Sequence, residues 1–129
     1  MHDRREHLNH LIVPSLQQDN WVISDRYFFT SFAYGTAEGV DLEYLIHINS
    51  EFLLPDVTFF LNVNPETCVE RIKTRGKPFT YFEKLEHFKK AWNVFESLAN
   101  RFENVYIING EQPIENVAKD IQTILAEKL

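Results

Sequence analysis

An acid and a base stand side by side at Asp25-Arg26, inside the tetrad Ser24-Asp25-Arg26-Tyr27 that follows the apolar run Trp21-Val22-Ile23. At the carboxyl end of a strand, such a pair suits phosphoryl transfer. The carboxylate can hold a magnesium ion, directly or through water, and the arginine can grip a phosphate with two parallel hydrogen bonds. An Asp–Arg ion pair capping the next helix is the plainer alternative. Arg71, Arg75 and Lys77 form a second basic group that could reach transferring phosphates. Equally, they could be cations gathered at the negative pole of a helix.

Other chemistries find little support. A phosphate-cradling loop reads G-x-x-x-x-G-K-[ST]. The four glycines do not form one: Gly35 and Gly39 are too close together, Gly76-Lys77 runs into Pro78, and Gly110 stands alone. His2, His7, His10, His47 and His87 are scattered, with no Cys or second His at ligand spacing on one face. Cys68 is the only cysteine, so an internal disulfide and a cysteine-based metal site are both excluded, and it reads as a helix thiol in a reducing compartment.

The elements that must position these groups alternate. Residues from Asp3 to about Gln17 carry Leu8, Leu11, Ile12 and Leu16 at helical spacing, with Pro14 expected to kink or end the helix. Trp21–Ser24, Val57–Val63 and Tyr106–Asn109 are apolar runs of strand length. Asn64-Pro65-Glu66 gives an N-cap, a proline in the first turn and an acid at the positive pole. Phe82, Leu85, Phe88, Trp92, Phe95 and Leu98 line one side of a long helix, and Ile114, Val117, Ile121, Ile124 and Leu125 line a final one. Strands alternating with helices imply a parallel sheet, with ligands beyond the carboxyl ends of the strands.

With 129 residues and 44% apolar content, the chain is long enough for one domain with a real core. The net charge of −6 argues against binding a nucleic-acid backbone. The opening Met1-His2-Asp3-Arg4-Arg5-Glu6-His7 is too charged for a signal peptide, and no apolar run approaches the ~20 residues that span a membrane. The expected setting is the cytoplasm.

Five segments, in order and in register, resemble the thymidylate kinase family. Asp3–His7 looks like its "DRREH" helix and Trp21–Tyr27 like its "WVISDRY" strand end. Thr30–Gly35 is similar to the "SSxAYQG" helix and Pro55–Val63 to the "PDLTxxLDV" strand. Pro65-Glu66 and Glu70–Gly76 resemble the helix that runs into the lid. The resemblance covers essentially the whole chain. It implies an α/β, P-loop kinase-type three-layer fold with a parallel sheet, lacking the P-loop strand. Residues 1–129 would be the C-terminal two-thirds of such a domain, with a lid at about 71–83.

The resemblance also implies roles. Arg4 would contact the thymine base, with Thr30 and Ser31 at the base edge. Arg26 would bind the dTMP phosphate, Asp25 would serve the Mg2+, and Tyr34 would pack on the deoxyribose and disfavour a 2′-hydroxyl. Arg71 and Arg75 would supply lid cations, and Gly110-Glu111-Gln112 would border the adenine of ATP. Each has a plainer reading: a solvated Arg4, helix-capping hydroxyls, a core Tyr34, an ordinary turn at Gly110. Many relatives carry an arginine where this chain has Tyr81, which leaves the lid's catalytic arginine unassigned. The implied reaction is ATP + dTMP to ADP + dTDP, in dTTP biosynthesis, by a homodimer paired through the N-terminal helix. The alternative is a truncated, non-catalytic nucleotide-binding or dimerisation module. A deoxynucleoside kinase fits less well, because its usual Glu-Arg-Ser cluster is absent.

Overall fold

A computed structural model of the chain describes residues 2–74 and 81–128. It divides into two compact units, Met1–Leu54 and Pro55–Leu129.

The first unit opens with α1 (His2–His7), a π-helical turn (Leu8–Ile12) and α2 (Val13–Gln17). The backbone stays helical through both joints. Pro14 therefore does not end the helix, which runs on to Gln17, contrary to one of the two outcomes expected from the sequence. The wider winding, in which the Val13 N–H reaches back to the Leu8 carbonyl, restarts the register so that Pro14 falls in the first turn of α2. A missing N–H costs nothing there. The same winding buries Leu8 and Ile12 but turns Leu11 outward, where it is 56% exposed. Asp19 then ends α2 in the left-handed region, φ 60, with its N–H on the Leu16 carbonyl.

Trp21–Ser24 is not a strand, contrary to the sequence expectation. Trp21 is 74% and Ile23 93% exposed. A strand needs a ladder partner for its N–H and C=O groups, and among the described residues the single sheet holds only two strands, both in the second unit.

α3 (Phe28–Ala37) follows, anchored by buried Phe28, Phe29, Phe32 and Ala33. Phe28 and Phe32, one turn apart, stack at 5.2 Å. α4 (Leu42–Ile48) is capped by Asp41, whose carboxylate accepts the Tyr44 N–H at 3.1 Å. Gly35 allows α3 and α4 their close approach, since a Cβ there would stand 2.8 Å from Leu45 Cδ1.

The second unit is a parallel crossover: β1 (Thr58–Asn62), α5 (Pro65–Thr74), α6 (Tyr81–Arg101), β2 (Val105–Asn109), then α7 (Ile114–Lys128). β1 and β2 run in register from Thr58↔Val105 to Asn62↔Asn109. Parallel pairing demands a long connection, and α5 and α6 supply it. The Asn64 side chain accepts the Glu66 N–H at 2.9 Å, as the N-cap reading requires. Phe60, Val69, Ala91, Leu98 and Ile108 are buried, with Phe95 edge-on to Phe60 at 4.9 Å. Ile114, placed by its spacing on the apolar side of α7, is 83% exposed. Among the described residues, no helix is long and apolar enough to cross a membrane.

Candidate functional site

Arg26 has φ 73, the left-handed region, which costs a side-chain-bearing residue about 1–2 kcal/mol. The Ser24 hydroxyl donates to the Arg26 carbonyl at 2.6 Å and closes this turn. Tyr27, the N-cap of α3, is extended and makes no side-chain cap bond. Asp25 and Arg26 are both exposed, and among the described residues they form no ion pair. Helix capping by an Asp–Arg pair is thus not what this segment does. Strain of this kind, held by a neighbouring hydroxyl, is frequent where a side chain must point at a ligand.

Tyr27, Thr30, Ser31 and Tyr34 recur at helical spacing, so one side of α3 carries three hydroxyl-bearing residues behind its N-cap. All four are half-buried. Onto this side comes Arg4 from α1. Its Nη2 donates to Ser31 Oγ at 2.9 Å and its Nη1 to Asn49 Oδ1 at 2.7 Å. Its Cζ lies 5.7 Å from the Tyr27 ring centroid and 5.9 Å from that of Phe52, within cation–π range of both. Burial pushes the Arg4 guanidinium down from its usual range, and Tyr27 opposes this. Burial pushes the Tyr27 phenol up, and Arg4 opposes that. The Tyr27 hydroxyl donates to the Leu53 carbonyl at 2.8 Å, which ties the start of α3 to the segment after α4. Arg5 turns elsewhere, to an exposed ion pair with Glu51.

The first unit thus brings together Arg4, Ser31 and the residue after Arg26, with Thr30 and Tyr34 on the same helix side. It adds three residues that the sequence reading passed over. In the sequence, Tyr27 stands out only as the last member of the tetrad Ser24-Asp25-Arg26-Tyr27. An Asn after an apolar helix looks like an ordinary C-cap, and an isolated Phe looks like core, so Asn49 and Phe52 carried no signal.

In the second unit, Arg71 is exposed in the last turn of α5, near the half-buried Cys68. Arg75 and Lys77 lie outside the described residues. Gly110 follows β2 so closely that a Cβ there would stand 2.7 Å from Val63 Cγ2, and its N–H donates to the Asn62 carbonyl at 2.8 Å. Glu111 accepts the Thr67 hydroxyl at 2.8 Å, and the Gln112 amide donates to Asp120 at 2.6 Å. The turn beyond the two strand ends is therefore fixed by protein partners on both of its polar side chains. Among the described residues no three His, Cys, Asp or Glu side chains gather at a metal-binding distance. Asp25 remains a single exposed carboxylate.

A parallel strand pair joined through helices, with an Asp-Arg turn leading into a hydroxyl-bearing helix, belongs to an α/β protein of the P-loop kinase type. The chain is a member of the thymidylate kinase family, whose family model, described as Thymidylate kinase, matches residues 1–121. It is 39% identical over 130 residues to a probable thymidylate kinase of Thermococcus kodakarensis, covering 98% of this chain and 63% of that protein. The probable thymidylate kinase of Pyrococcus horikoshii is 37% identical over 128 residues, covering 98% and 62%. The thymidylate kinase of Onion yellows phytoplasma is 34% identical over 133 residues, covering 97% and 64%. The chain therefore spans somewhat under two thirds of the length of these relatives.

Proposed function

We propose that the chain provides the acceptor-nucleotide half of a thymidylate kinase, which moves the γ-phosphoryl group of ATP to the phosphate of dTMP. An oxygen of the dTMP phosphate forms the new bond to the γ-phosphorus, the bond to the β-phosphate oxygen breaks, and ADP leaves. The observation that carries this reading is the meeting of Arg4 with Ser31 beside Tyr27. Those residues fall in the segments through which the chain resembles its family.

In this reading Arg4, Thr30 and Ser31 hold the thymine base, and Tyr34 lies along the deoxyribose. Arg26 takes the acceptor phosphate. The exposed Asp25 suits a magnesium ion that draws its other ligands from water and phosphate, as kinase magnesium usually does. That ion would neutralise charge on the transferring group. Arg71 and Arg75 would add cations to the donor side, and Gly110-Glu111-Gln112 would border adenine. Pairing of two copies through the N-terminal helix is supported by Leu11, an apolar residue 56% exposed on that helix.

A second reading is favoured by one fact: these 129 residues contain no G-x-x-x-x-G-K-[ST]. The chain would then bind a nucleotide, or a second copy, without turnover. Calorimetric titration of the chain with dTMP, dUMP, AMP, GMP and CMP tests the nucleotide assignment under both readings. dTMP should bind best, and a clear preference for AMP, GMP or CMP overturns it.

A further inference from the structure

Among the described residues Asn49 is the buried polar side chain, 4% exposed. It closes α4, and its own N–H is satisfied by the carbonyls of Ile46 and His47. That leaves the Leu45 carbonyl to the side chain, which is committed on both ends. Nδ2 donates to the Leu45 carbonyl at 2.9 Å and Oδ1 accepts from Arg4 at 2.7 Å. A guanidinium offers only donors and a backbone carbonyl only an acceptor, so one orientation of the amide alone satisfies both. The helix end thus fixes the amide, and the amide fixes one terminal nitrogen of Arg4. Ser31 holds the other terminal nitrogen at 2.9 Å. Two anchors, on α3 and just after α4, set the plane of the guanidinium between the rings of Tyr27 and Phe52.

We propose that Asn49 is a positioning residue, which sets the plane of the Arg4 guanidinium so that its remaining N–H donors address the base of the acceptor nucleotide. The nucleotide part rests on the reading given under Proposed function; the contact between Asn49 and Arg4 does not. A long arginine side chain left to itself samples many rotamers, and ordering it during binding weakens affinity. A plane fixed beforehand removes that loss. It also makes the site selective. Fixed N–H groups donate to a keto oxygen on the base and leave an amino group without an acceptor, so dTMP should be favoured over dCMP.

Two measurements on the full chain test this. The first is the guanidinium 15N–1H NMR signal of Arg4, assigned by its loss in Arg4→Lys. In the parent chain, rotation about the terminal C–N bonds should be slowed. In Asn49→Leu it should become fast, whereas Asn49→Asp, which keeps the acceptor but loses the donor to Leu45, should keep it slow. If the role of Asn49 is only to finish α4, Asn49→Asp disturbs Arg4 as much as Asn49→Leu does. That result, or an Arg4 signal unchanged in Asn49→Leu, overturns the proposal. Should Asn49→Leu fail to fold, the Asn49→Asp arm alone decides. The second measurement is affinity. Asn49→Leu should weaken dTMP about tenfold, as expected for losing a hydrogen bond to a charged group, and leave 2-deoxyribose 5-phosphate unaffected. An equal loss for both ligands overturns the proposal. No dTMP binding by the parent chain would instead overturn the thymidylate reading, with the NMR result still deciding the role of Asn49.

Discussion

Arg4 and Ser31, 27 residues apart in the chain, meet at 2.9 Å, guanidinium to hydroxyl. This contact joins the N-terminal helix to the helix behind the Asp-Arg turn, and a half-buried arginine is needed to make it. Arg4→Lys keeps the charge but replaces the planar fork with a point charge that cannot serve Ser31 and Asn49 at once. Affinity for dTMP should fall at least tenfold, that is about 1.4 kcal/mol, while deoxyribose 5-phosphate binds as before. Titration calorimetry with both ligands checks this, and equal weakening of both would point to a general disturbance of the fold.

Arg26→Ala should remove most phosphate recognition. A charge-assisted contact to phosphate is worth about 1.5–3 kcal/mol, so the affinity for dTMP should fall by about ten- to a hundredfold. The melting temperature should not fall, because Arg26 is exposed and unpaired among the described residues. A binding constant within a few-fold of the parent would remove Arg26 from the site.

The 129-residue chain by itself should show no dTMP kinase turnover. Acceptor groups are present at Arg4, Ser31 and Arg26, but the 129 residues contain no G-x-x-x-x-G-K-[ST] loop whose backbone N–H groups would cradle the phosphates of ATP. Positioning the donor supplies roughly 7–11 kcal/mol of barrier lowering, so its loss abolishes the rate rather than trimming it. A coupled assay run beside the titrations tests the claim. Tight ATP–magnesium binding with measurable turnover would defeat it.

Cys68 should behave as a slow thiol. Burial, the largest influence, pushes its pKa up, and Arg71 pulls it back only in part. A pKa raised on folding gives stability that is fully present below the unfolded thiol value, about 8.5, and is lost as pH rises from there through the higher folded value. Stability should therefore decline above about pH 8.5, and Cys68→Ala should flatten that decline. Labelling of the native chain by a disulfide reagent at pH 8 should be several-fold slower than labelling of the unfolded chain. Faster labelling when native would mean that Arg71 outweighs burial.

The sequence made some features plain because they are local. The N-cap of α5 depends on Asn64, Pro65 and Glu66 alone, and it is where the pattern put it. β1 and β2 are apolar runs that find each other, and the helices between them leave parallel pairing as the available solution. Trp21–Ser24 misled because an apolar run specifies only a tendency, while a strand exists by its partner. The π-helical turn was hidden because Pro14 signals a break, and nothing in residue types alone says that a wider winding can absorb it. Of the site, Arg4, Ser31 and the Asp-Arg turn stood out through their segments. Asn49 did not, since its importance lies in a contact with a residue 45 positions away.

The left-handed backbone at Arg26 has a consequence for selection experiments on this chain. In a saturation library, glycine and asparagine are the substitutions this backbone tolerates best, so they should rise when variants are sorted for abundance alone. Sorting for nucleotide retention should deplete the same variants. Position 26 would then be recognisable without any structure, as a site where the ranking for folding and the ranking for binding run in opposite directions.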